Sequence, residues 1–119
     1  MNYVLPLALT ALLFITTAQS ASAQRGLQIK QVKISLIKTK SDDDGGTTLY
    51  FRIDNNTGSE IDVATFECNI FDSLSSFSEI ISPAVRRVRN GDSAYVEEHV
   101  DLDESKFGRA DCRGIDAFE

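Results

Sequence analysis

The chain has 119 residues, enough for one domain, and its charged side chains sum to a formal charge of −6. This charge excludes the basic surface that nucleic acid requires, and it also excludes a simple electrostatic attachment to anionic lipid. The single histidine disfavours catalysis, because enzymes usually depend on histidine, an activated cysteine or paired carboxylates.

Residues 1–23 have the pattern of a cleavable signal peptide. Residues 4–17 form an apolar run of suitable length, and Ala21-Ser22-Ala23 places small residues at the positions that a signal peptidase recognises. No Lys or Arg precedes the run, so only the α-amino group supplies positive charge. The alternative is an uncleaved membrane anchor, but the run is short for a span and contains Pro6. We predict an exported protein, periplasmic or secreted, with residues 24–119 as one domain.

Alternating apolar and polar residues, separated by turn signals, predict strands in the rest of the chain. The first run of alternating residues begins at Leu27. After Ile29 its apolar residues shift by one position, from odd-numbered to even-numbered positions. This slip indicates a β-bulge or a strand that passes from one sheet to another. A turn of aspartates and glycines follows at 41–46. The apolar positions after the slip are Val32, Ile34 and Leu36.

The segment 47–54 has the clearest alternation. Asn55-Asn56-Thr57-Gly58 follows it as a strong turn signal, because Asn and Gly accept the positive φ of tight turns. The next strand, 61–71, also changes parity, and 72–76 is a polar loop. The apolar face of the predicted strand 47–54 consists of Leu49, Phe51 and Ile53.

A proline divides the segment 77–88. Pro83 cannot donate a hydrogen bond to a β-ladder, so we predict either an edge strand or two short strands here. The remaining predicted elements are a tight turn at Asn90-Gly91-Asp92, a strand at 93–100, an acidic loop at 101–106 and a last strand at 107–118.

Six or seven short antiparallel strands without a convincing helix predict an all-β fold, either a β-sandwich or a small barrel. Cys68 shares its parity with Phe66 and Ile70 and is therefore expected to face the core. In an oxidising compartment we expect Cys68 and Cys112 to form a disulfide, which contributes roughly 4 kcal/mol in the chain-entropy model. The alternatives are free thiols or a metal pair, for which one histidine is a poor complement.

One segment resembles a known family. Cys68-Asn69-Ile70-Phe71-Asp72 is similar to the strand motif of the small bacterial FxLYD-like domains, with its last three residues at the positions of their Leu, Tyr and Asp. Cys68 stands where those domains carry Phe. The turns at 55–58 and 90–94 are similar to turns that flank the motif, the second with Asn in place of Pro. The resemblance covers roughly residues 49–115. It implies an immunoglobulin-like β-sandwich outside the bacterial cytoplasm, without catalytic residues.

Arginines are the best candidates for a binding site. If the segment after Pro83 and the C-terminal strand are neighbours, five guanidinium groups could form a patch that binds an anion or a partner. The planar guanidinium donates two parallel hydrogen bonds to a carboxylate or phosphate. The alternative is that these charges prevent an edge strand from pairing with other chains. The five residues are Arg86, Arg87, Arg89, Arg109 and Arg113.

Other polar residues predict no site. His99 shares its parity with Tyr95, so we expect it to face solvent and to have no catalytic role. The acidic runs 42–44 and 101–104 lack the ligand spacing of a calcium loop and indicate solvated turns. We therefore predict no metal and no cofactor. Tyr50 and Tyr95 fit a contact surface and a solvated sheet face equally well.

We predict a non-catalytic exported interaction module of the periplasm or cell envelope, which binds a protein or an envelope component. The alternative is a small secreted inhibitor or ligand-binding protein that acts on an extracytoplasmic enzyme through one rigid loop. The candidate loops are 42–46, 72–77 and 101–106. A hydrolase is disfavoured because no Gly-x-Ser-x-Gly motif is present. We expect no transmembrane span after the signal peptide.

Overall fold

The computed structural model describes residues 26–119, so the predicted signal peptide lies outside the described residues. Within this range, seven strands form two antiparallel sheets, which confirms the predicted β-sandwich. Short 3-10 turns precede the first and last strands, at Ile29–Gln31 and Glu104–Lys106. The strands are β1 (Val32–Ser41), β2 (Thr47–Asn55), β3 (Ile61–Asp72), β4 (Phe77–Ile81), β5 (Ala84–Val88), β6 (Ser93–Val100) and β7 (Phe107–Phe118).

The first sheet has the order β1-β2-β6, and β3 is the centre of the second. The strand β7 runs along one edge of β3, while β4 and β5 share the other edge. Pro83 separates β4 from β5, as predicted for a residue without an N–H donor. Its carbonyl still accepts a hydrogen bond of 2.9 Å from the amide of Phe66. One broken edge strand therefore covers that side of β3.

The core lies between the two sheets. The predicted inward face of β2 is fully buried at Leu49, Phe51 and Ile53. From the other sheet, Phe66 and Ile70 of β3 are equally buried. Burial of a side chain of this kind contributes about 1.5–3 kcal/mol, so these two central strands supply most of the hydrophobic stabilisation.

The parity slip near the start of the described chain has a specific cause. The amide of Leu27 donates to the carbonyl of Ala117, which lies in β7 of the second sheet. After the 3-10 turn, Val32 pairs with Asn55 of β2 in the first sheet. The chain therefore passes from one sheet to the other, which was one of the two predicted explanations. The bulge in β1 itself comes later, at Ile37.

The predicted disulfide is present between Cys68 and Cys112. The two residues are direct partners on β3 and β7, with their Cα atoms 3.9 Å apart. The bond therefore joins neighbouring strands of one sheet rather than the two sheets. No helix within residues 26–119 is long and apolar enough to cross a bilayer.

Candidate functional site

Three loops meet at one end of the sandwich, which we call the loop end. They are the turn 42–46 between β1 and β2, the turn 72–77 between β3 and β4, and the segment 101–106 between β6 and β7. The amide of Ser73 donates to the carbonyl of Lys106 at 2.8 Å, which ties the second loop to the third. The hydroxyl of Thr47 donates to the carbonyl of Leu102, which ties the first loop to the third. The three candidate loops of the sequence thus form one continuous surface.

A histidine lies among carboxylates at this end. We call Asp42, Asp44, His99 and Asp101 the His99 cluster. The Nδ1 atom of His99 is 2.6 Å from Oδ2 of Asp42. The Nε2 atom is 3.4 Å from Oδ1 of Asp101 and 3.8 Å from Oδ2 of Asp44. Both ring nitrogens therefore face acidic oxygens.

Local contacts fix the members of the His99 cluster. Asp42 accepts a hydrogen bond of 2.7 Å from the hydroxyl of Thr48, and Asp44 accepts one of 3.0 Å from the amide of Gly46. The imidazole lies directly over Gly46, where an added Cβ would be 2.5 Å from its Cε1 atom. Gly45 has φ +90°, a conformation that favours glycine and closes the turn. The glycines of this turn therefore allow the carboxylates and the ring to meet.

The electrostatics of the cluster follow from these contacts. The hydrogen bond to Asp42 raises the pKa of His99, and the charge of Asp44 adds to this effect. The hydrogen bond from Thr48 lowers the pKa of Asp42, and His99 contributes in the same direction. His99 is exposed as expected, with 44% of its side chain accessible. The sequence did not predict its partners, since the run 42–44 indicates a solvated turn, whereas Asp42 and Asp44 converge on one ring.

Exposed apolar side chains form a second feature near the loop end. We call Leu74, Phe77 and Ile80 the apolar edge, and they are 85%, 57% and 53% exposed. Phe77 contacts Phe71 edge-to-face, with the ring centroids 6.1 Å apart. The guanidinium of Arg109 lies over the other ring, with its Cζ atom 4.2 Å from the Phe71 centroid. Part of the exposed apolar surface is thus backed by packed aromatic rings.

The hairpin that carries Leu74 is held by one side chain. The carboxylate of Asp72 accepts hydrogen bonds of 2.9 Å from the amides of Leu74 and Ser76. The amide of Asp72 donates to the carbonyl of Ser76, and Ser75 has φ +65°. Leu74 therefore projects from an ordered turn.

The predicted arginine patch is distributed along the second sheet. Arg86 lies opposite Val63 of β3, whereas Arg109 lies opposite Phe71, eight positions further along the strand and about 26 Å away at the usual rise. Arg113 pairs with Glu67 at 2.9 Å. The structure therefore does not bring the arginines of β7 beside those of the β5 edge. The exposed arginines at that edge are Arg86, Arg87 and Arg89.

Tyr50 and Tyr95 lie on the outer face of the first sheet. Tyr50 on β2 pairs with Glu97 on β6, and Tyr95 lies two residues before Glu97 on the same strand. The Tyr95 side chain is 69% exposed. The ammonium of Lys38 lies 4.7 Å from the centroid of the Tyr50 ring. Tyr50 is thus partly covered, while Tyr95 is open to solvent.

Comparisons with known proteins support the fold. No family model and no curated protein matches the chain. The structure is similar to the crystal structure of a DUF1425 family member from Shewanella sp. pv-4, with a TM-score of 0.53 and 10% sequence identity. The match covers 81% of this chain and 91% of that chain. At this identity the likeness shows a shared β-sandwich fold, and the FxLYD-like resemblance stays a prediction.

Proposed function

We propose that this chain is a non-catalytic, exported interaction module that binds a protein partner through the apolar edge. The observation that carries the proposal is the exposure of three large apolar side chains on one hairpin. Leu74 lies in the turn, Phe77 and Ile80 lie on the edge strand β4, and Phe77 packs against the Phe71 ring. Exposed large apolar side chains grouped on one hairpin are typical of sites where another molecule binds.

The broken edge strand supports this interpretation through the contrast between its two halves. The half formed by β5 exposes Arg86 and Arg87, and charged residues on an edge strand oppose pairing with other chains. The half formed by β4 exposes Phe77 and Ile80 instead. One half of the edge is therefore protected by charge, while the other is left apolar.

Charge at the loop end favours a partner that carries basic side chains. The three loops hold seven carboxylates and one lysine. Glu79, on the inner face of β4, accepts a hydrogen bond of 2.9 Å from the amide of Asp101 and so joins β4 to this acidic region. A partner that presents apolar side chains flanked by Lys or Arg would complement both features.

The inhibitor alternative has its own supporting observation. Leu74 is the most exposed large apolar side chain of the described residues and lies at the tip of a hydrogen-bonded turn. A rigid loop binds an enzyme cleft at low entropic cost. This alternative requires that the partner be an enzyme and that its activity fall when the complex forms.

The test is a capture experiment with the protein produced in its own host and tagged at its C-terminus. The wild-type protein, the double variant Leu74→Ser/Phe77→Ser and the control Tyr95→Ser are each recovered from the envelope and secreted fractions. The control removes an equally exposed aromatic side chain from the other sheet. We expect a stoichiometric partner with the wild type and the control, and its loss with the double variant.

The same experiment tests export. The mass of the recovered wild-type chain should correspond to cleavage after Ala23. A partner that the double variant retains would contradict the assigned surface, and recovery of the protein only from the cytoplasm would contradict export. An enzyme partner that is inhibited stoichiometrically would favour the second candidate function.

A further inference from the structure

We propose that the His99 cluster is a binding site for a divalent transition metal of the zinc class. In this site, His99 Nε2, Asp44 and Asp101 are the ligands, and Asp42 orients the imidazole. This inference goes beyond the proposed function, because it uses different residues and a different kind of ligand.

The donor set selects the class of metal. One imidazole nitrogen with carboxylate oxygens suits zinc and its neighbours, whereas calcium takes oxygen ligands alone. Three ligands from the protein would leave a coordination position open to water or to a group from a partner. The high exposure of Asp44 and Asp101, at 69% and 92% of the side chain, permits such an open position.

The distances from the imidazole nitrogen to the two carboxylates fit ligands of one metal ion. Ligands about 2.0–2.1 Å from a tetrahedral zinc ion are about 3.4 Å apart. The distance from His99 Nε2 to Asp101 Oδ1 is 3.4 Å, and the distance to Asp44 Oδ2 is 3.8 Å. The first distance matches that geometry, and the second requires the exposed side chain of Asp44 to move by a few tenths of an ångström. Asp101 lies outside the group of Asp42, Asp44 and His99 whose ligand atoms are all within 4.8 Å of one another, so the two exposed carboxylates must also approach each other when the ion binds.

The other ring nitrogen has the partner that a metal-bound histidine usually has. Ligand histidines commonly donate their second N–H to a carboxylate, which fixes the tautomer and the direction of the ring. His99 Nδ1 lies 2.6 Å from Asp42, and Asp42 is itself held by the hydroxyl of Thr48. With the proton on Nδ1, Nε2 carries the lone pair that would bind the metal, and the carboxylates of Asp44 and Asp101 lie near it.

Charge explains why a divalent ion fits better than a proton. Three carboxylates surround one imidazole, and a proton on the ring would still leave the group with two excess negative charges. A divalent ion bound to the neutral ring reduces this excess to one. Asp43 lies between Asp42 and Asp44 in the same turn but is not among the carboxylates that face the His99 ring, and it provides a matched control.

The test uses the single histidine of the chain as its reporter. The ring proton resonances of His99 are followed by NMR while Zn²⁺ is added to the full exported protein at constant neutral pH. We expect a saturable change with a stoichiometry of one. Asp44→Asn and Asp101→Asn should each weaken binding at least tenfold, and Asp42→Asn should weaken it by about 10–100-fold. Asp43→Asn should bind as the wild type does.

Three results would overturn the proposal. They are the absence of a saturable change, equal weakening by Asp43→Asn and Asp44→Asn, and an equally strong response of the His99 resonances to Ca²⁺. Amide spectra of each variant establish that it is folded, and His99→Gln removes the reporter but allows calorimetry with Zn²⁺, which should show no binding. The Leu74→Ser/Phe77→Ser variant should bind Zn²⁺ normally, so failure of the metal site and failure of the proposed interaction surface are distinguishable.

Discussion

The two ends of the sandwich differ in the side chains that they expose. At the end away from the loop end, Asn55 is fully buried and all its side-chain hydrogen bonds are made within the protein. Its amide nitrogen donates to the carbonyls of Ser59 and Val88 at 2.8 and 2.9 Å. Its oxygen accepts from the amide and the hydroxyl of Thr57. We call this region the asparagine end.

The main chain at the asparagine end is equally well paired. The amide of Gly91 donates to the carbonyl of Asn55, and the amide of Asn55 donates to the carbonyl of Asp92. Gly58 donates to the side chain of Asn90 in the neighbouring turn. The loop end instead exposes apolar side chains and carboxylates. The comparison teaches that the asparagine end keeps its polar contacts within the protein, whereas the loop end exposes the apolar and acidic side chains to which we assign binding.

The largest effect should come from Asn55→Ala. The substitution removes four hydrogen bonds and leaves the buried carbonyl of Val88 without its donor, which costs about 3 kcal/mol of unfolding free energy. Urea denaturation measures this loss. Asn56→Ala, on an exposed neighbour, is the control and should change the free energy by less than about 0.5 kcal/mol. Equal losses for the two variants would mean that the buried network does not stabilise this end.

A glycine of the loop end should give the next largest effect. Gly46→Ala would place a Cβ 2.7 Å from the carbonyl oxygen of Val100 and 2.5 Å from the imidazole of His99. Because the main chain must move, we expect a loss of about 1–3 kcal/mol in urea denaturation. Asp43→Ala, in the same exposed turn, is the control. An unchanged stability of Gly46→Ala together with unchanged His99 resonances would contradict the close approach of the ring.

The apolar edge should contribute much less to folding. Leu74→Ser should change the free energy of unfolding by less than about 0.5 kcal/mol, because Leu74 is mostly in solvent. Phe77→Ser also removes the edge-to-face contact with Phe71 and should cost about 0.5–1.5 kcal/mol. Thermal and urea denaturation check this expectation. A loss of several kcal/mol of unfolding free energy would mean that these side chains belong to the hydrophobic core. The distinction between the two ends would then disappear.

Local signals in the sequence were sufficient for much of the fold. The buried face of β2 follows from its strict alternation, and Pro83 divides the edge strand where it removes a hydrogen-bond donor. The glycines of the three predicted turns, Gly45, Gly58 and Gly91, all have positive φ. The disulfide follows from the parity of Cys68 and the need for a partner. The alternation, the proline and the turn glycines depend on neighbouring residues, and the disulfide joins two cysteines of an expected oxidising compartment, so one sequence reveals these features.

The His99 cluster depends on pairings between distant parts of the chain. His99 meets the first turn because β6 pairs with β2, where Thr48 lies opposite His99. Alternation predicts that β2 and β6 exist but does not predict that they are neighbours. The same argument applies to the arginines, since whether β5 lies beside β7 is a question of strand order. The pairing of β2 with β6 was the information needed to predict the His99 cluster, and the alternation of residues does not contain it.

The smallest effect should come from a carboxylate on the inner face of β6. Glu98 lies opposite Leu49, and burial raises its pKa above the ordinary value of 4.5. The folded state therefore retains the proton to a higher pH than the unfolded state, so Glu98 lowers stability as the pH rises through its raised pKa. Glu98→Gln should stabilise the protein above that pH by less than about 1 kcal/mol, because the side chain is still partly solvated.

The pH profile of urea denaturation tests this assignment. The advantage of Glu98→Gln over the wild type should disappear below pH 4.5, where the carboxyl is protonated in both the folded and the unfolded states. Glu97→Gln removes the same charge from the exposed face of β6 and is the matched control. If the free energies of unfolding of Glu97→Gln and Glu98→Gln change in the same way with pH, net charge rather than burial causes the effect. The inner face of β6 near the loop end would then be as well solvated as its outer face.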